Sequence, residues 1–193
     1  MLKLDRTHLA RFQSLIALAV MLAGMSLLSD SFLTLENGLN ILRQISVNLC
    51  LSIGMTLIIL TAGIDLSVGA ILALSGAVAA GLLKNGIRLE LLGVELQFTV
   101  LGSISAGLLV GAAAGFFNGV TITRFKLPPF VATLGMFSIA RGLTMLWTGG
   151  FPVTGLGATF GAIGTGVFLG IPVPVWITGS LVGVFVLLTR RTR

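Results

Sequence analysis

The sequence predicts an all-α membrane protein, a bundle of about six transmembrane helices with both termini cytoplasmic. Three observations carry that expectation. The chain is 55% hydrophobic and 9% charged, with a mean hydropathy of +1.09. Apolar segments of helical length recur along it, and its Lys and Arg residues gather at the segment ends. A soluble domain carries charge on roughly a quarter of its residues. A chain this poor in charge cannot cover its own surface with polar groups, so lipid must solvate it.

Six segments follow in order: Phe12–Ser29, Ile45–Ala62, Leu66–Leu83, Phe98–Ile122, Phe130–Thr148 and Val173–Thr189. Each approaches the roughly 20 residues that a helix needs to cross a bilayer. Lys3, Arg6 and Arg11 before the first segment give it the look of a signal peptide. No small-residue cleavage site follows, and Asp30-Ser31-Phe32 is a poor substitute, so an uncleaved first span is expected. The second and third segments form a run of 39 residues, enough for two crossings and a tight turn. Between the fifth and sixth lies an uncharged, glycine-rich stretch, Gly149 to Pro172. It is too broken for a crossing, and a re-entrant or surface-lying segment on the outer side fits it, since irregular backbone at depth needs protein or a wet cavity around it.

Orientation follows from counting cations. With the N-terminus inside and six alternating spans, Lys3, Arg6, Arg11, Arg124, Lys126, Arg190, Arg191 and Arg193 are cytoplasmic. Arg43, Lys84 and Arg88 are outside, a bias of eight to three, and Arg141 remains within a span. Trp147 and Trp176 then fall at the outer interface, where indole rings prefer to sit. The net charge of +6 and pI near 11.2 thus describe membrane flanks. They do not describe a nucleic-acid face, which needs clustered cations with aromatic rings to stack bases.

Several residues are candidates for more than solvation by lipid. Ser103, Gly107, Gly111, Gly115 and Gly119 place a small residue at every fourth position, hence on one helix face. Gly69, Ala73, Ala77 and Gly81 repeat the pattern in the third span. Such stripes let backbones approach closely where no hydrophobic force drives helices together, and a smooth face also lets helices slide. Asp65 is the one acidic residue of the 39-residue run. It reads either as the cap of the third helix, with Gly63 closing the second in a left-handed conformation, or as part of a solute path. Ser67 stands beside it. Arg141 either snorkels outward or lines the bundle interior. Asn48 and Asn118 read first as interhelical hydrogen bonders, with Asn48 also a path candidate. Cys50 is alone, so no internal disulfide is possible, and it reads as a packed thiol. His8 has no metal-ligand partner at useful spacing.

The sequence contains no G-x-x-x-x-G-K-[ST] loop for ATP, no H-E-x-x-H and no nucleophile–base set. An enzyme is therefore not expected, nor a cofactor or a metal.

The stretch Thr61-Ala62-Gly63-Ile64-Asp65-Leu66-Ser67-Val68-Gly69 resembles the signature of the ribose-type membrane permeases of bacterial ABC sugar importers. Pro128-Pro129-Phe130-Val131-Ala132-Thr133-Leu134-Gly135 and Gly170-Ile171-Pro172-Val173-Pro174-Val175 support the resemblance in the expected order. It implies an inner-membrane permease subunit, residues 1–193 forming a single transmembrane domain, for a monosaccharide such as ribose or a related sugar. It further implies a second permease copy, a cytoplasmic ATP-binding subunit and a periplasmic sugar-binding protein as partners. Members of the family are longer, so the chain is expected to be truncated at its C-terminal end. The alternative expectation is a non-transporting remnant or helix-packing scaffold.

Overall fold

The computed structural model describes residues 6–89 and 93–191, and the side chains from Phe12 onward. His8 and the flanking cations Lys3, Arg6, Arg11 and Arg193 lie outside the described residues or side chains. The described residues form seven helices: α1 (Arg6–Leu28), α2 (Leu35–Leu60), α3 (Val68–Asn85), α4 (Val100–Arg124), α5 (Pro129–Thr148), α6 (Gly157–Thr165) and α7 (Val173–Arg191). Two small antiparallel hairpins join them, β1 (Ile87–Leu89) with β2 (Val94–Leu96), and β3 (Val167–Phe168) with β4 (Ile171–Pro172). Among the described residues, five helices (α2, α3, α4, α5 and α7) are long and apolar enough to cross a membrane, and Phe12–Leu28 of α1 is a shorter apolar helix. The six expected segments therefore all lie on helices.

The chain divides into two compact units, one ending at Ile45 and one starting at Ser46. In the first, α1 ends at a short turn. Thr34 Oγ1 accepts the amide of Asn37 (3.3 Å), and the Asn37 side chain donates to the Phe32 carbonyl (2.8 Å). A hydroxyl capping the amide three residues on is the geometry of a helix start. It explains why α2 begins ten residues before the expected Ile45. Glu36, Asn37, Asn40 and Arg43 make that first stretch polar, so hydropathy places the span too late although the helix is continuous.

In the second unit, α3, α4 and α5 pack around Ala70, Leu74, Met136 and Ala140, with Val110, Ala114 and Phe137 against them. Small residues set the spacing. A Cβ on Gly107 would lie 2.7 Å from the Ser75 carbonyl oxygen, and one on Gly111 would lie 2.9 Å from Ser75 Oγ. Gly81 in α3 leaves room for the indole of Trp147, whose Nε1 donates to the Ala77 carbonyl (3.0 Å). By contrast, nothing lies within 4 Å of a Cβ on Gly69, Gly115 or Gly119, and Ala73 is exposed. The α4 stripe is thus divided, its first half under α3 and its second half bare.

Helix α7 is tied to the end of α2 that belongs to this unit. Thr178 Oγ1 donates to the Ser46 carbonyl (3.1 Å), and Cys50 Sγ lies 3.0 Å from the same hydroxyl. A hydroxyl has one proton. With it committed to Ser46, the Cys50 thiol is the donor to Thr178, which gives the lone cysteine a packed, hydrogen-bonded role.

The stretch Gly149–Pro172 is neither a crossing nor unstructured: it contains the nine-residue α6 and the β3–β4 hairpin. The β1–β2 hairpin was not anticipated. Its alternating Ile87-Arg88-Leu89 and Val94-Glu95-Leu96 pair in register, with Arg88 Nε on Glu95 Oε1 at 2.5 Å.

Burial confirms what solvent the fold needs. A third of α3's most apolar window is buried, but only 6% of α7's. Leu, Ile, Val and Phe side chains remain outward along the other helices. Water would penalise each of them, whereas hydrocarbon does not.

The divided stripe makes a sharp expectation. Gly107→Ala should lower the thermal midpoint of the detergent-solubilised chain, a cost of about 1–3 kcal/mol from overpacking against backbone. Gly115→Ala should be neutral or stabilising by up to about 1 kcal/mol, since alanine is the better helix former. Equal losses at both positions would show that the second half of the stripe is also covered.

Candidate functional site

The segment between α2 and α3 must reverse direction without leaving polar backbone groups bare. It does so with help from three helices. Helix α2 closes through two bonds, Gly63 N–H to the Ile58 carbonyl (3.0 Å) and Ala62 N–H to the Ile59 carbonyl (2.9 Å). This is a Schellman closure. The left-handed residue is Ala62 (φ 56°), not the expected Gly63. Gly63 follows it, and its missing side chain matters for a different reason: a Cβ there would press on Ile58 Cγ2 at 3.1 Å.

Asp65 then organises the start of α3. Its Oδ1 accepts both the amide of Ser67 (2.7 Å) and the Ser67 hydroxyl (2.6 Å). The residue at the cap position is Ser67, whose own side chain caps nothing. The carboxylate acts from two residues upstream, in an Asx-type turn, and lies at the helix end whose exposed amides favour negative charge. Ser67 is completely buried, and its oxygen in turn accepts from Asn118 Nδ2 of α4 (2.9 Å). From α5, Thr133 Oγ1 accepts the Leu66 amide (3.2 Å) and donates to the Pro129 carbonyl (2.9 Å), with the Ile64 carbonyl also near at 3.3 Å.

Beside this knot lies an open cleft of about 440 Å³. Asp65, Asn118, Thr61 and Thr133 contribute its polar lining, and Gly115 and Gly119 its bare floor. Pockets for small molecules run from about 300 to 1,000 Å³ with a few convergent polar groups on apolar walls. Asp65 Oδ2 and Asn118 Oδ1 make no hydrogen bond among the described residues, so both are acceptors available to hydroxyl donors.

Of the path candidates, Asp65 and Ser67 are brought together here and Asn118 joins them. Asn48, exposed on α2, and Arg141, exposed on α5, line none of this cleft. Thr133 was not singled out from sequence. The available signal was a hydroxyl one turn after Pro128-Pro129 on an otherwise apolar helix. Among the described residues no group of His, Cys, Asp or Glu is arranged to hold a metal.

Comparison with known proteins bears directly on this region. Residues 37–188 match the family model described as branched-chain amino acid transport system / permease component. The chain belongs to this permease family. It is 47% identical over 171 residues to the ribose import permease protein RbsC of Escherichia coli (strain K12), covering 86% of this chain and 50% of that protein. It is 45% identical over 161 residues to RbsC of Bacillus subtilis (strain 168), covering 82% of this chain and 47% of the relative. The galactofuranose transporter permease protein YtfT of Escherichia coli (strain K12) is 36% identical over 186 residues, 92% of this chain and 51% of the relative. The chain thus spans about half the length of the relatives it matches. No solved structure matches. The permease match contains all four residues of the polar knot, and it begins within α2.

In this permease the knot depends on an acceptor oxygen at position 65. Asp65→Asn keeps that oxygen and should leave the thermal midpoint of the reconstituted chain close to the parent's. Asp65→Leu strands two donors of Ser67, at about 1–3 kcal/mol for a buried group left unpaired. An Asn variant as unstable as the Leu variant would show that the charge, and not the acceptor, holds the turn.

Proposed function

We propose that the chain is the membrane-spanning permease subunit of an ATP-driven importer for a monosaccharide, ribose or a related sugar. The identity to ribose import permeases over most of this chain is the observation that carries the reading. The proposed partners are a second copy of the permease, a cytoplasmic subunit that hydrolyses ATP and a periplasmic sugar-binding protein, at the bacterial inner membrane. The lack of an ATP-binding loop in the sequence is in keeping with hydrolysis on a separate subunit.

Both termini are proposed to be cytoplasmic, on the eight-to-three cation bias. The polar knot supports that assignment, because it ties the α2–α3 turn to the last turns of α4 and the first turn of α5, where Arg124 and Lys126 lie. All of these then face the cytoplasm together. The cleft at Asp65 becomes the inner mouth of the path, where carboxylate and amide oxygens accept sugar hydroxyls as the solute leaves. The bare faces of Gly115 and Gly119 let a neighbouring element move past without side-chain collision. Ser67 acts by positioning Asp65. Arg141 and Asn48 are assigned to path surfaces away from this mouth, since an exposed guanidinium in mid-span is costly against lipid.

Deleting the gene in its host should abolish ATP-dependent accumulation of labelled ribose, and its return in trans should restore it. Unlabelled galactofuranose as competitor then distinguishes the substrates named for the relatives. Uptake of each sugar at the parental rate in the deletion strain overturns the assignment. Orientation has a separate test in reporter fusions after Arg43, Arg88, Arg124 and Arg193. The expected pattern is external, external, internal, internal, and an external signal at Arg124 or Arg193 refutes it.

A further inference from the structure

Between Arg141 and Arg190 the chain carries no Asp, Glu, Lys or Arg. Within that run, just before α7, the β3–β4 hairpin turns through Leu169 (φ 52°) and Gly170 (φ 79°). A two-residue turn with both central residues left-handed favours Asn-Gly or Asp-Gly. Leucine in the first place is strained, because its Cβ crowds the following carbonyl. Yet Leu169 is 77% exposed, and Phe168 beside it 60%. In water this residue would combine backbone strain with an unfavourable exposed side chain and gain nothing in return.

The position of the hairpin resolves the conflict. Seventeen of the nineteen residues of α7 precede Arg190. They span about 25 Å, against a hydrocarbon core of about 30 Å. The first turn of α7 must therefore lie at or within the hydrocarbon boundary opposite Arg190 and Arg191. The hairpin is pinned beside that turn, not beyond it. Val173 N–H donates to the Gly166 carbonyl (3.0 Å), and Trp176 Nε1 donates to the Phe168 carbonyl (3.2 Å). The Phe168 and Trp176 rings meet edge to face at 6.2 Å. Next to them an apolar groove of about 420 Å³ runs between Ile171, Val175, Trp176 and Gly179.

We infer that the tip of this hairpin, Phe168–Leu169, is a lipid anchor seated at the headgroup–acyl boundary of the leaflet opposite Arg190, with an acyl chain in the adjacent groove. Trp176 holds the interfacial depth, as indoles do, and Leu169 replaces a turn-forming Asn because hydrocarbon rewards it. The Phe168 carbonyl at the tip keeps a partner through the Trp176 bond, as that depth demands.

The test uses the chain reconstituted in phosphatidylcholine vesicles, in a Cys50→Ser background that keeps a donor to Thr178. An environment-sensitive fluorophore is placed on Leu169→Cys and, as a water-exposed control, on Arg88→Cys. Brominated phospholipid should quench the label at 169 several-fold more than the label at 88, and iodide should show the reverse order. Quenching of position 169 mainly by iodide would mean a water-facing tip. Protection from both quenchers would mean a protein partner, and either result overturns the anchor. Leu169→Asn gives an independent sign. It relieves the left-handed strain, so a tip in water predicts a higher thermal midpoint, whereas an anchor predicts a lower one in vesicles.

Discussion

The fold depends on one constraint: where α2 turns into α3, backbone amides that neither helix satisfies must find acceptors, and side chains of the turn and of α5 supply them. The Schellman bonds at Ile58 and Ile59 satisfy the end of α2. Asp65 takes the Ser67 amide, and Thr133 takes the Leu66 amide. Because Thr133 comes from α5 and Asn118 from α4, satisfying the turn also fixes how the ends of α4 and α5 meet α3. Packing of Ala70, Leu74, Met136 and Ala140 follows from that alignment.

Threonine serves as the crosslink twice. Thr133 joins α5 to the α2–α3 turn, and Thr178 joins α7 to α2 at Ser46 and Cys50. In each case one hydroxyl both donates to a carbonyl and accepts from a second donor, so no polar atom is left over. Interhelical hydrogen bonds in membranes average about 0.6 kcal/mol and reach about 2. That is small beside the loss from an unpaired group, so these threonines specify register more than they add stability. Serine could offer the same two bonds but lacks the methyl that fills the neighbouring space.

Much of this was legible in the sequence, for physical reasons that also explain what was not. Hydropathy detects a segment by averaging around its circumference, so all six apolar segments fall on helices, five of them long enough to cross a membrane, while the polar opening of α2 at Glu36–Arg43 was missed. Four-residue spacing of glycines identifies a face but not what covers it. Gly107 and Gly111 meet Ser75, whereas Gly115 and Gly119, on the same stripe, meet nothing in this chain. The rule that glycine takes a left-handed end favoured Gly63. The left-handed residue is Ala62 instead, and Gly63, the next residue of the closure, sits where a Cβ would press on Ile58. The pairing of Asn118 with Ser67 spans 51 residues and has no local signature at all.

The two ends of the α3–α5 bundle are consequently built to different rules. Toward Trp147 the helices touch through backbone: Gly81 admits the indole, Gly107 meets a carbonyl, and any added atom collides. Contact of that kind is steeply repulsive on one side and attractive on the other, so it defines a single spacing. Toward Asp65 the contacts are side-chain hydrogen bonds beside an open cleft, and the glycine faces are bare. Hydrogen bonds between short polar side chains can be exchanged for bonds to water or to a hydroxylated solute at little net cost, whereas a backbone contact has no substitute partner. Stiffness at one end and exchangeable bonding at the other fits the proposed transport role, in which one end would keep the helices in register while the other would admit and release a solute.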